Sequence, residues 1–151
     1  MIDTHCHIHG GAFADDRDAV LSAAFEQGVT TLLAMGEHAD DNERLFGVAN
    51  GARGKNRARV LPCFGLHPDQ TMRCEQGEVS RVIAQLRKHR EHVVAVGEVG
   101  LDYWVAETDE QRQRQRQHLA TFVELAKELE LPLSVHSRSA GHHTIALLSE
   151  H

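Results

Sequence analysis

No apolar run in this 151-residue chain approaches the roughly 18 to 20 residues of a membrane-spanning helix. The N-terminus has no basic region running into an apolar stretch, so no secretory signal is expected. Cysteine is scarce: Cys6, Cys63 and Cys74 are odd in number and lack metal-type spacing. They predict free thiols in a reducing, cytoplasmic setting, with Cys6 and Cys63 buried in strand-like runs. Excess positive charge is missing as well. The net charge of −6 argues against a broad electrostatic grip on nucleic acid. A local basic patch or a metal site can still handle phosphate. There are no low-complexity tracts and no linker. With 41% hydrophobic and 25% charged residues, the chain reads as one soluble domain over residues 1–151.

What is present is an alternation. Five times, a short apolar run is followed by a helical pattern. Residues 1–7 form the first predicted strand. A Gly10-Gly11 link follows, then a helix over 15–27 closed by Gly28. Residues 29–35, apolar and β-branched, suit a strand buried on both faces. A helix over 40–50 and a solvated basic loop at 53–57 come next. Strand three covers 59–66, and the helix after it shows Val79, Val82, Ile83 and Leu86 as one apolar stripe. Strand four covers 93–99. Thr108 and Gln111 have capping-box spacing at the start of the next helix, whose stripe is Leu119, Phe122, Val123, Ala126 and Leu129. Arg112, Arg114 and Arg116 fan around that helix as a solvated surface. Strand five covers 133–136, and a last helix runs over 139–150. Strict alternation predicts an α/β fold with a parallel sheet. A (βα)-barrel takes about 250 residues and eight units; five are present here. A five-stranded doubly wound sheet fits the pattern equally well. The chain stops directly after a helix, which favours an incomplete barrel.

Chemistry in parallel α/β folds gathers at the C-terminal ends of the strands. Here those ends carry His5 and His7, Glu37-His38, His67, Glu98 with Asp102, and His136-Ser137-Arg138. His5 and His7 are two apart, so they share one side of a strand. Histidines and a carboxylate converging on one mouth make a metal site by ligand chemistry. Glu98 has two oxygens and can bridge two cations, with His5 and His7 serving one and His136 the other. Nitrogen and oxygen ligands alone do not separate Zn, Mn, Mg, Fe, Co or Ni.

The segments Asp3-Thr4-His5-Cys6-His7, Gly65-Leu66-His67-Pro68, Gly97-Glu98-Val99-Gly100-Leu101-Asp102-Tyr103 and Val135-His136-Ser137-Arg138 resemble the successive signatures of the TatD family. These are metal-dependent hydrolases, often deoxyribonucleases, on a barrel related to the amidohydrolases. The resemblance spans essentially the whole chain, and 135–141 is most similar to the eukaryotic-type TatD domain-containing branch. It implies that His5, His7 and Glu98 bind one ion and that Glu98 and His136 bind a second. Glu98 would then also hold the attacking water. The resemblance further implies His67 as a phosphate or substrate contact. Arg138 fits either a phosphate contact or a salt bridge at a helix start. Asp102 either orients a ligand from behind, near the substrate, or caps the next segment.

Family members run to about 260 residues, in keeping with eight units. They supply a histidine near the end of strand six and a general-base aspartate near the end of strand eight, both beyond residue 151. His142, His143 and His151 are poor substitutes. The expectation is a metal-dependent phosphodiesterase acting on DNA, with weak metal binding and little turnover in these residues alone. Open edges on strands one and five would favour self-association or pairing with a C-terminal chain. Two other hydrolase classes share the first motif. A polymerase-and-histidinol-phosphatase phosphoesterase is disfavoured by the segment around Glu98. A cyclic amidohydrolase would place a lysine in strand four. A catalytically inactive scaffold is the non-enzyme alternative.

Overall fold

The computed structural model describes residues 1–52, 54–73 and 77–151. Cys74, expected as a free thiol, and Arg53 of the basic loop lie outside the described residues. The five strands are β1 (Ile2–Cys6), β2 (Thr31–Met35), β3 (Arg59–Phe64), β4 (Ala95–Asp102) and β5 (Leu133–Arg138). The helices are α1 (Arg17–Glu26), α2 (Ala39–Gly51), the short α3 (Gln70–Arg73), α4 (Glu78–Lys88), α5 (Asp109–Leu129) and α6 (Gly141–Glu150). The 3-10 turn Gly11–Phe13 and α3 had no signal in the sequence pattern.

Every strand pair is parallel, and the order across the sheet is β1-β2-β3-β4-β5. This order separates the two architectures that the alternation left open. A doubly wound sheet reverses its strand order at a switch point. Sequential order keeps right-handed crossovers on one side, as in a barrel wall. The sheet is five consecutive staves of such a wall.

The two faces of the sheet bury different residues. Leu32, Val60, Phe64, Val96 and Leu101 join Val82 and Leu86 of α4 and Leu119, Phe122 and Val123 of α5 in the main core. Met35, Cys63 and Ala95, with Leu33 and Val94 against them, form a small cluster on the opposite face. Alternate residues of β2 and β3 thus serve opposite faces, as the pleat requires. The apolar stripes predicted for α4 and α5 are the packed ones. Both halves of the capping box form: the Thr108 side chain accepts from Gln111 N–H, and the Gln111 side chain accepts from Thr108 N–H. Gly28 takes φ +85°, the left-handed conformation expected where α1 stops. In the basic loop Arg57 pairs with Asp18 at 3.0 Å, so this residue braces α1. Cys63 is buried, which pushes its thiol up to about 12, and Cys6 is half-buried.

Candidate metal centre

Two strands bring their side chains to the mouth by departing from regular pairing. Between Asp3 and Cys6, β1 advances three residues while β2 advances two, from Leu32 to Ala34. Between Val96 and Val99, β4 likewise takes three steps against two in β5. Each is a bulge of one extra residue, which re-aims the side chains around it. The first lies at His5 and the second at Glu98. Asp3 holds the first: its carboxylate accepts the His5 backbone N–H at 3.0 Å. The second depends on Gly65, where a Cβ would meet Glu98 N and O at 2.5 Å. Only glycine lets β3 approach the Glu98 backbone so closely.

Glu98 is 5% exposed and stands at the centre. Its Oε2 faces His5 Nε2 at 3.2 Å and His7 Nε2 at 3.4 Å. Its Oε1 faces His136 Nδ1 at 2.7 Å and His67 Nε2 at 3.7 Å. The carboxylate therefore turns one oxygen to each pair of histidines. Among the described residues, His5, His7 and Glu98 form one group of donors, and His67, Glu98 and His136 form another. Within each group the donor atoms lie within 4.8 Å of one another. Both sets match divalent-cation chemistry in ligand type and spacing. Histidine at β1, β3 and β5 and a carboxylate at β4 are brought together as the strand-end argument expects. His67 lies nearer the carboxylate than a remote substrate contact would, and its Nε2 is 3.2 Å from His136 Nδ1.

Outer partners fix which ring nitrogen faces inward. His7 Nδ1 lies 2.9 Å from the Met35 carbonyl, which can only accept. Nδ1 therefore carries hydrogen, and a neutral ring keeps its lone pair on Nε2, toward Glu98. His136 is reversed: Nε2 lies 3.2 Å from Asp102 Oδ2, which leaves Nδ1 toward Glu98. Asp102 is 2% exposed and reaches the mouth through His136. Its other oxygen accepts the N–H groups of Trp104 and Val105, so it caps the next segment too. Asp102 thus makes contacts of both kinds that the sequence left open for it, to His136 and to the segment that follows.

Burial opposes the Glu98 charge, yet hydrogen bonds from the protonated forms of His136 and His7 hold the carboxyl well below its usual range. The same Glu98 bonds raise His7 and His136. His67 is lowered, chiefly by burial.

The remaining strand-end residues do other work. His38 accepts Asp41 N–H at 3.4 Å as the N-cap of α2. Arg138 has no carboxylate partner among the described residues; its guanidinium lies 5.0 Å over the Trp104 ring. Of the late histidines, His151 lies 2.7 Å from Glu124 and His143 packs on Tyr103. Two supports escaped the sequence reading. Gln115, fully buried, accepts Asp102 N–H and donates to the Pro68 carbonyl, tying the ends of β3 and β4. Its signal is a lone amide at helical spacing from Leu119 and Phe122 on an apolar face. His9, also buried, pairs with Asp41 at 2.8 Å behind the first group.

A family model described as "TatD related DNase" matches residues 2–151. TATDN3 of Mus musculus is 40% identical over 158 residues, covering 99% of this chain and 52% of its own length. The human protein named deoxyribonuclease TATDN3 is 37% identical, with 99% and 56% covered. YjjV of Escherichia coli K12, named as an uncharacterized metal-dependent hydrolase, is 32% identical over 138 residues, with 91% and 51% covered. The crystal structure of the YjjV TatD homologue superposes with a TM-score of 0.85 at 29% identity, covering 99% of this chain and 55% of that one. The chain thus spans about half the length of the relatives it matches.

Proposed function

Because the chain belongs to the TatD-related DNase family, we propose that its five strands carry the principal metal-binding part of a hydrolase that cleaves phosphodiester bonds in DNA. The observation that carries this reading is the split of Glu98, one oxygen to His5 and His7 and the other to His136 and His67. That arrangement suits a bridging carboxylate between two divalent ions. His5, His7 and Glu98 would hold one, and Glu98 and His136 the other. His67 is close enough to join Glu98 and His136 around the second ion as well as to face a phosphate. Metal ions bound there would lower the pKa of a coordinated water and polarise a phosphoryl oxygen.

The chain's own groups prepare the site for this chemistry. Met35 O and Asp102 set the ring orientations of His7 and His136, so the donor nitrogens need no search. Burial keeps His67 neutral near pH 7, leaving it able to bind metal or donate to phosphate. Arg138, free of carboxylate partners among the described residues, can fork onto phosphate oxygens. The salt-bridge reading of Arg138 gains no support from the contacts. Glu98 in place of a β4 lysine favours this reading over a cyclic amidohydrolase. No helix among the described residues is long and apolar enough to cross a membrane. We read the β1 and β5 edges as surfaces for association with a second copy or with further strands.

The test is hydrolysis of a labelled oligodeoxynucleotide with Mn²⁺, Zn²⁺, Co²⁺ or Mg²⁺ added to chelator-treated protein. Slow cleavage, in keeping with the little turnover expected of these residues alone, that needs metal and disappears in Glu98→Ala is expected. Metal-independent cleavage, or cleavage that survives Glu98→Ala, would overturn the reading.

A further inference from the structure

Trp104 is the chain's only tryptophan, and it is 67% exposed. Tryptophan is highly buried on average and is enriched at interfaces. Its position is built. Asp102, whose other oxygen touches His136, accepts the Trp104 N–H at 3.0 Å. The Tyr103 N–H donates to the Arg138 carbonyl at 2.9 Å, and Asp102 and Arg138 are register partners in β4 and β5. Arg138 stands two residues after His136, on the same side of β5, with its guanidinium over the indole. Among the described residues no other ring lies against Trp104. The lip beside the second donor group therefore carries an exposed indole backed by a cation that has no carboxylate partner among the described residues. Next to it, Arg112 lies 5.1 Å over the Tyr103 ring but is paired with Asp109 at 3.9 Å, so Arg138 is the cation that the lip offers.

We propose that Trp104 stacks on an unpaired nucleobase adjoining the scissile phosphate, with Arg138 neutralising the backbone of that nucleotide. A flat π-face beside an unneutralised guanidinium matches a nucleotide's two parts, base and phosphate. A base stacked between its neighbours inside a duplex offers no free face at such a lip, so an unpaired, unstacked base is preferred over duplex. Trp104 is a specificity-determining residue on this account. The inference rests on the phosphodiesterase reading above.

The sole tryptophan makes the lip its own reporter. Titration with octathymidylate should quench Trp104 emission saturably, while an octamer of abasic sites should not. By anisotropy of labelled octathymidylate, Trp104→Ala should weaken binding on the order of tenfold, and Trp104→Phe should keep it within roughly threefold. Mn²⁺ calorimetry on the same samples reads the donor groups separately. Normal Mn²⁺ binding without quenching overturns the stacking role and leaves the hydrolase reading standing. Quenching without Mn²⁺ binding supports the lip and counts against the hydrolase reading. Equal quenching by the abasic octamer overturns the proposal in favour of phosphate attraction alone. A concentration-dependent blue shift without nucleic acid overturns it in favour of a second copy covering the indole.

Discussion

Around Glu98 the carboxylate and the histidines that face it form one titrating cluster, and its pH behaviour follows from the direction of each shift. The Glu98 carboxyl lies below its ordinary 4.5, so its contribution to stability is complete above that pH and is lost as pH falls through the lower folded value. His7 and His136 lie above their ordinary 6.5, so theirs is complete below 6.5 and is lost as pH rises through the raised values. His67 is lowered and works against them below 6.5. In chelator, the thermal midpoint should fall as pH rises above about 6.5, more steeply for the native chain than for Glu98→Gln. Equal slopes would show that these contacts do not form in solution. Behind the donors, Asp102→Asn should reduce metal affinity roughly 10- to 100-fold by loosening His136, measured by calorimetry. The donors themselves were legible as residue types at strand ends. The nitrogen each histidine presents was not, because Met35 O and Asp102 come to those rings only through folding.

The elements were legible to the extent that local physics determines them. The α4 and α5 stripes and the Thr108 cap are periodic or positional signals within one segment, and they stand as read. The bulges in β1 and β4 are relations between two strands, and α3 is too short for a period to show. Gln115 breaks an apolar face, yet its partners Asp102 N–H and Pro68 O belong to other elements. Gln115→Leu should leave the buried Asp102 N–H without its partner, while the Pro68 carbonyl keeps the Thr71 hydroxyl as a donor, and cost about 1 to 3 kcal/mol in denaturant unfolding. Gly65→Ala should drive a methyl into the Glu98 backbone, costing about 1 to 3 kcal/mol and weakening metal binding as well. A Gly65→Ala protein with unchanged stability and metal affinity would mean that the close approach of β3 to β4 is unimportant.

For the whole molecule, sequential strand order puts all five strand ends on one rim, so residues up to 131 positions apart, from His5 to His136, meet at a single carboxylate. The alternation of strands and helices could not choose between a barrel wall and a doubly wound sheet, since both share that rhythm; pairing order decides it. β1 and β5 are the edges of the sheet among the described residues, and β4 between its neighbours is buried along its length. Association through those edges should appear as a mass above that of one chain in light scattering, rising with protein concentration. On our proposal Glu98 joins two cation-binding groups. Mn²⁺ calorimetry with native protein, His7→Ala, His136→Ala and Glu98→Ala tests it most directly, with near-ultraviolet circular dichroism as the check on folding. Two binding events are predicted for the native chain, one lost in each histidine variant and both lost in folded Glu98→Ala. A folded Glu98→Ala protein that keeps either event at native strength would contradict the account.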